Sequence, residues 1–333
     1  MGRYDSICEK MSPFVSVIIP AYNSWEKLGE LLKSLEKSTF ANFEIIVGDD
    51  GSENYNNYKS YNNYNDYKIV RLKRNRGPAA ARNAAAHLAR GRVLVFLDSD
   101  VTVYPDTLGV IAKKFMDDRD LTALTGVWDK HQKTRSFFPQ FKAMRDWSYW
   151  INERDVDGYY YLFSTRIAAI KRDVFNRLGG FNESFRQMED VEITYRIARR
   201  YAIIFAPDVR VHHEFEGFWP VARKYFWRSF YWSRLWQARR KFDPVATTFW
   251  ETLAAISGVG VIGAIGAIGV LGEIGVILAV GLLLAHVFLL RKFLRFVYHE
   301  KGMVFMLKAL VTGIVLYCII AAGALYYHSK IKL

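Results

Sequence analysis

Val93-Leu94-Val95-Phe96-Leu97-Asp98-Ser99-Asp100 is the stretch that decides how this 333-residue chain is read. Five apolar residues followed by two acids suggest a buried strand that ends at a polar edge. Two carboxylates in that place are costly unless they meet a cation or hydrogen-bond donors. Oxygen ligands suit Mg2+ or Mn2+, ions that usually bridge protein carboxylates to substrate phosphates. An Asp-x-Asp is also a common turn or helix-capping pair, so the strand in front of it is what points to a cation.

On either side of this stretch, short apolar runs alternate with helical spacing. Residues 15–20, 43–47 and 68–72 read as further strands. Residues 25–37 place Leu28, Leu31, Leu32 and Leu35 on one helix face, and the alanine-rich 79–89 reads as a second helix. Such alternation predicts an α/β domain with a mostly parallel sheet covered by helices. Sheets of this kind take ligands beyond the carboxyl ends of their strands. Asn23 follows the first strand, Asp49 and Asp50 the second, Asp98 and Asp100 the fourth. Residues 54–67, rich in Asn and Tyr, read as a surface insertion with no assigned role.

Lys and Arg number 46 against 33 Asp and Glu, a formal net charge of +13, and 51% of the residues are hydrophobic. The apolar excess collects late. Residues 217–242 hold ten aromatic side chains and seven cations (Arg223, Lys224, Arg228, Arg234, Arg239, Arg240 and Lys241) and no acid. Trp and Tyr favour the headgroup level of a bilayer, and Lys and Arg are drawn to anionic lipid. One or two interfacial helices are expected over 216–245; the other reading is a linker helix packed on the preceding domain. Residues 253–272, 274–290 and 309–327 carry no charge. Lengths near 20 residues match the hydrocarbon thickness. Membrane spans are expected within 246–327, at about 249–271, 274–290 and 304–327. The first two form a hairpin around Glu273, and the third either crosses or lies re-entrant. Gly260, Gly263, Gly266, Gly269, Gly272 and Gly275 would let these helices approach closely.

Arg291, Lys292, Arg295 and Lys301, like the basic belt before the first span, belong on the cytoplasmic side. A belt beside membrane spans makes lipid, rather than nucleic acid, the partner of the positive charge. The tail over 1–13 has no signal-peptide core, and Cys8 and Cys318 do not suggest a disulfide framework. The front half suits a reducing compartment.

Three more pairs could carry chemistry. Asp49 and Asp50 could accept hydrogen bonds from a base or ribose, or simply form an Asp-Gly turn. Glu189 and Asp190 precede Val191, Ile193, Tyr195 and Ile197, a helix start where the dipole favours acids. The functional alternative is a general base for an attacking hydroxyl. His212 and His213 follow Val209-Arg210-Val211; imidazole is a common metal ligand, though a single histidine is as often structural.

Taken in order, these pieces resemble the family 2 glycosyltransferases of GT-A fold. The matching stretches are Val15-Ser16-Val17-Ile18-Ile19-Pro20-Ala21-Tyr22-Asn23 and Ile45-Ile46-Val47-Gly48-Asp49-Asp50-Gly51-Ser52. Asn75-Arg76-Gly77 follows, running on to Ala81-Arg82-Asn83. Then come Phe96-Leu97-Asp98-Ser99-Asp100, Gly179-Gly180-Phe181-Asn182-Glu183, Glu189-Asp190 and Val211-His212-His213. The resemblance covers about 14–215 and implies a Rossmann-like mixed sheet followed by a helical membrane region. It implies that Pro20, Ala21, Tyr22, Asn23, Asp49, Asp50, Arg76, Arg82 and Asp98 bind the nucleotide-sugar. Asp98, Asp100 and His213 would be the metal set for Mg2+ or Mn2+, with His213 fitting better than His212. Asp190, with Glu189 beside it, would be the catalytic base. Gly48 departs from the family's usual hydrophobic-Val-Asp-Asp at the second strand.

The expected function is inverting transfer of a sugar from a UDP- or GDP-sugar to a lipid-linked acceptor, a glycan or a polyprenyl phosphate. The protein would be an integral membrane protein with a cytoplasmic catalytic domain, its partners being donor, acceptor and membrane lipids. The alternative is a non-catalytic membrane scaffold that keeps the GT-A fold. A processive synthase is disfavoured, because Trp236-Gln237-Ala238-Arg239-Arg240 only partly imitates a Q-x-x-R-W signature.

Overall fold

A computed structural model describes residues 12–53, 67–154, 158–239 and 248–331. Most of the expected tail over 1–13, nearly all of the Asn/Tyr-rich stretch, and Cys8, Arg240 and Lys241 lie outside the described residues. In chain order the elements are β1 (Val15–Ala21), α1 (Trp25–Glu36), β2 (Phe43–Asp49), β3 (Tyr67–Arg71), α2 (Pro78–His87), β4 (Val93–Leu97) and β5 (Val101–Val103). They continue with α3 (Thr107–Asp117), β6 (Ala123–Trp128), α4 (Phe137–Ile151), β7 (Ile167–Lys171), α5 (Arg172–Arg177), α6 (Glu189–Ile197) and β8 (Ile203–His213).

The strands form one sheet in the order β3-β2-β1-β4-β7-β6-β8-β5. β3, β2, β1 and β4 are parallel, which gathers their carboxyl ends at one edge. β7 enters antiparallel between β4 and β6, and β5 pairs antiparallel with β8, so the sheet is mixed. β1 and β4 are central, which explains their unbroken apolar runs: Val17, Ile18, Ile19 and Leu94 through Leu97 are fully buried. The α1 leucines 28, 31, 32 and 35 bury together against this core.

β2 runs two residues further than its apolar run suggests and includes Gly48 and Asp49. α2 crosses that end closely. A Cβ on Gly48 would sit 2.1 Å from the carbonyl oxygen of Ala81. The departure at residue 48 therefore has a packing cause: only glycine lets this helix come so near the strand.

After β8 come α7 (Phe218–Arg239), α8 (Phe249–Gly266), the single turn α9 (Ile268–Leu271), α10 (Glu273–Leu289) and α11 (Arg291–Ile331). α7 is one continuous helix lying along α11. Ser229 Oγ donates to the Ile320 carbonyl at 2.6 Å, and Tyr327 Oη donates to Gln237 Oε1 at 2.7 Å. Phe226 and Phe230 pack on Tyr326. Thr248 and Glu251 form a reciprocal capping box at the start of α8. The chain reverses at Gly272 (φ +57°), one residue before Glu273. Gly302 (φ +81°) breaks α11, and the stretch expected as a third span lies beyond it. α8 and α11 are long and apolar enough to cross a membrane by length and composition; α10 has 17 residues.

α4 joins the two parts. Its Phe138, Phe141 and Met144 share a buried cluster with Val221 of α7, Ala254 of α8 and Phe293, Val297 and Ala309 of α11.

Replacing Gly48 with valine should push α2 off the sheet. The expected loss is about 1–3 kcal/mol, typical of overpacking a filled core, read as a lower unfolding temperature of the detergent-solubilised chain.

Candidate functional site

Arg82 projects from α2 into the space where β4 ends and α6 begins. It is 3% exposed. Its Nη2 donates to Asp98 Oδ1 at 2.6 Å and its Nη1 to Glu189 Oε1 at 2.8 Å. Burial works against the charged guanidinium, yet Asp98 and Glu189 together hold its pKa above the ordinary arginine range. Glu189 is buried and committed to this bond, which makes it a support for Arg82 rather than a free acid.

The residues at the carboxyl ends of the strands and those at the start of α6 line one cavity of about 1480 Å³. Pro20, Ala21, Tyr22 and Asp50 line it, as do Asp98, Ser99 and Asp100. The Asp50 carboxylate accepts the Arg76 N–H at 2.7 Å and the Gly77 N–H at 2.8 Å. Burial nevertheless pushes its pKa up.

Three residues expected at the nucleotide do not line this cavity. Asp49 is the last residue of β2 rather than the first of a loop. It is fully buried, accepting from Ser52 N–H at 3.1 Å and Ser52 Oγ at 2.6 Å and pairing with Arg71 at 3.3 Å. Asn23 takes a positive φ of 48° and uses its Oδ1 to accept the Glu53 N–H, tying two loops together. Arg76 contributes its backbone to Asp50, but its side chain turns outward to Glu183 at 2.5 Å.

Asp100 and His213 meet because of strand register. β5 pairs with β8 so that Val101 faces His213, which sets that histidine beside the residue before Val101. His213 Nε2 lies 3.3 Å from Asp100 Oδ2. Burial pulls the His213 pKa down, which favours the neutral imidazole a metal requires. Its buried Nδ1 has no hydrogen-bond partner among the described residues. His212 projects from the opposite face of β8, since strand side chains alternate, and contacts Glu214 at 2.6 Å. Among the described residues no three His, Cys, Asp or Glu groups converge as a metal cage. Two ligands at right angles on an ion with bonds of about 2.1 Å stand about 3 Å apart. Asp100 and His213 thus fit two positions of a Mg2+ or Mn2+ site, with a ligand's oxygens needed for others.

α6 starts from Met188 in the left-handed region (φ +66°), an unusual setting that aims Glu189 and Asp190 at the cavity. Burial raises the Asp190 pKa above the ordinary carboxylate range, against the pull of Arg228 from α7.

Sequence reading missed the cavity's other wall. On α4, Lys142, Arg145, Asp146 and Tyr149 all line it. Their three- and four-residue spacing puts them on one helix face, a polar stripe inside an otherwise apolar run and the one signal that marked them. Lys142 pairs with Asp146, and Arg145 with Glu153 at 2.7 Å. Arg166 stacks over Trp128 with its Cζ 4.5 Å from the ring centroid.

Parts of this sequence, and its fold, resemble known proteins. The family model described as Glycosyl transferase family 2 matches residues 16–179. The uncharacterized glycosyltransferase YfnE of Bacillus subtilis is 37% identical over 118 residues, 34% of this chain and 30% of its own length. The UDP-Glc:alpha-D-GlcNAc-diphosphoundecaprenol beta-1,3-glucosyltransferase WfgD of Escherichia coli is 39% identical over 87 residues, 26% of this chain and 34% of its own. The chain spans less than two thirds of the length of these relatives. A mannosyltransferase from Pyrobaculum calidifontis, solved with GDP-Man and Mn2+, aligns with a TM-score of 0.57 at 20% identity over 96% of this chain and 88% of that one. The fold is GT-A.

Substituting Arg82 by methionine leaves Asp98 and Glu189 without their cation. Breaking such a buried pair costs about 3–5 kcal/mol. Thermal unfolding at two pH values checks this: the deficit should narrow at the lower pH, where the abandoned carboxylates take up protons.

Proposed function

We propose, from the premise that residues 16–179 are a family 2 glycosyltransferase domain, that the protein is an inverting, membrane-anchored glycosyltransferase. It would move a sugar from a UDP- or GDP-sugar to a lipid-linked acceptor at the cytoplasmic face. The observation that carries this reading is the single cavity in which Asp50, Asp98, Asp100 and Asp190 face one another. The pairing of a diphosphoundecaprenol acceptor with the Escherichia coli relative, and of GDP-Man with the archaeal structure, supports the substrate classes.

Pro20, Ala21, Tyr22 and Asp50 would hold the nucleoside, with Asp50 pre-set by two backbone N–H groups. Asp98, fixed by Arg82, would orient the donor sugar. Asp100 and His213 would hold Mg2+ or Mn2+, which supplies charge stabilisation for the departing nucleoside diphosphate. Asp190 would accept the proton of the acceptor hydroxyl as that oxygen attacks the anomeric carbon, and one displacement inverts its configuration. Where the acceptor is a phosphate, already ionised, Asp190 would position it instead. A raised pKa makes Asp190 a stronger base than an exposed aspartate.

We read 14–215 as the catalytic unit, 216–245 as the interfacial link and 246–327 as the membrane anchor. α8 and α11 are the spanning helices, and the cations flanking them favour a cytoplasmic catalytic side.

Asp190→Asn should lower sugar transfer by about 100- to 10,000-fold, the usual worth of a general base, while UDP or GDP still binds. Asp100→Ala should weaken Mn2+-dependent nucleotide binding. Membranes of either variant that transfer sugar as well as wild type would sink the proposal. The base works when ionised and its pKa is raised, so activity should fall on the acid side at a pH above the roughly 3.9 of an ordinary aspartate. A donor screen reading nucleoside diphosphate release gives the profile.

A further inference from the structure

The loop after β6, residues 130–136, ties the catalytic unit to α11 at one corner of the molecule. On one side Gln132 Nε2 donates to the His213 carbonyl and its Oε1 accepts the Phe215 N–H, both at 2.8 Å. The Lys133 N–H donates to Glu214 Oε1 at 2.8 Å. On the other side Lys130 pairs with Glu300 at 2.5 Å and lies over the Phe296 ring. Phe137, just past the loop, packs on Phe305 with ring centroids 4.8 Å apart. Phe138 packs on Phe218, which brings the start of α7 to the same corner. Glu300 and Phe305 flank the break of α11 at Gly302. Before the break the helix carries Arg291, Lys292, Arg295 and Lys301. After it Met303, Val304 and Leu307 are exposed apolar side chains, Lys308 is the last cation, and 309–327 has no charge. With α11 read as a span, the bilayer surface lies where its cations give way to apolar residues. That is the level of the loop.

The acids of this corner are all taken up. Asp129 accepts from Tyr104 Oη and pairs with His131, Glu214 meets His212 and the Lys133 N–H, Glu216 pairs with Lys224, and Glu300 with Lys130. The side chains of Lys133, Arg135, Arg223 and Lys301 are exposed and have no hydrogen bond or ion pair among the described residues. Trp219, 79% exposed, stands one helical turn from Arg223 on the same face of α7.

We propose that this corner docks on anionic phospholipid headgroups. Lys133, Arg135, Arg223 and Lys301 meet the lipid phosphates, and Trp219 enters the headgroup layer. The contact extends membrane binding to the catalytic unit itself, outside the spans, and fixes the height of its cavity above the bilayer. It rests on the reading of α8 and α11 as spans, and not on the sugar chemistry. An acidic protein or a nucleic acid would satisfy the charge alone. Continuity with the apolar part of α11 and an exposed tryptophan beside the cations select the lipid surface.

The test is a fluorescence depth measurement on the full chain in nanodiscs. Ser136→Cys, combined with Cys8→Ser and Cys318→Ser, takes an environment-sensitive nitrobenzoxadiazole label beside the cations without removing one. Arg200→Cys in the same background is the reference, since it precedes the far end of β8, about 30 Å of strand from His213. In discs of equal parts phosphatidylcholine and phosphatidylglycerol, the label at 136 should emit at shorter wavelength and be quenched by a headgroup-nitroxide lipid. The label at 200 should do neither. Lys133→Glu with Arg135→Glu should return the label at 136 toward the reference, and so should discs of phosphatidylcholine alone. Lys133→Gln with Arg135→Gln serves should the acidic pair not fold. Equal emission from the two labels in anionic discs would overturn the proposal. So would quenching at 136 that survives both the charge variants and the loss of phosphatidylglycerol, because the loop would then lie near lipid without recognising its charge. Failure of the underlying span reading shows differently, as absence of the chain from the purified discs.

Discussion

Arg82 stands where the end of β4 and the start of α6 bring Asp98 and Glu189 toward each other inside the protein. Two carboxylates so placed repel, and each is partly or wholly withdrawn from water. One planar guanidinium satisfies both, and its fork geometry fits two acceptors at once. Three distant segments are thereby locked together: α2, the Asp98–Asp100 loop and the α6 N-terminus. The close contact at Gly48 belongs to the same arrangement, because α2 has to lie tight on β2 for Arg82 to reach inward.

The sheet supplies the second constraint. The parallel half gathers Ala21, Asp49 and Leu97 at one edge, so the loops after them converge on a shared space. The antiparallel half returns β8 alongside β5 and delivers His213 to Asp100 across 113 residues of chain. A one-residue slip of that pairing would exchange His213 for His212. Register, more than composition, separates the histidine at the cavity from the one held by Glu214.

α4 couples chemistry to the membrane-length helices. One of its faces carries Lys142, Arg145 and Asp146 into the cavity, and Phe138, Phe141 and Met144 bury against α7, α8 and α11. An acceptor bound between those helices and the sheet would therefore touch both parts at once. A shift of the helices relative to the sheet would change the shape of the site itself.

Strands β1 to β4, the leucine face of α1 and the acids at the ends of β2 and β4 were legible in the sequence, because periodicity and strand-end polarity are local properties of the chain. The family resemblance implied Asp50, Asp98, Asp100 and Asp190 as site residues, and all four line the cavity. Local pattern also marked α8 and α11 as apolar enough for a membrane. What a side chain faces depends on the partner segment, and there the sequence was silent or misleading. Asp49 and Arg76 sit within the same motifs as Asp50, yet one is buried under Ser52 and the other points to Glu183. The cations of α7 read as a lipid belt, and those of α4 drew no reading at all. Only the packing of α4 and α7 with α8 and α11 brought Lys142 and Arg228 to the cavity that Asp190 lines, because a cavity exists between elements and belongs to none of them alone.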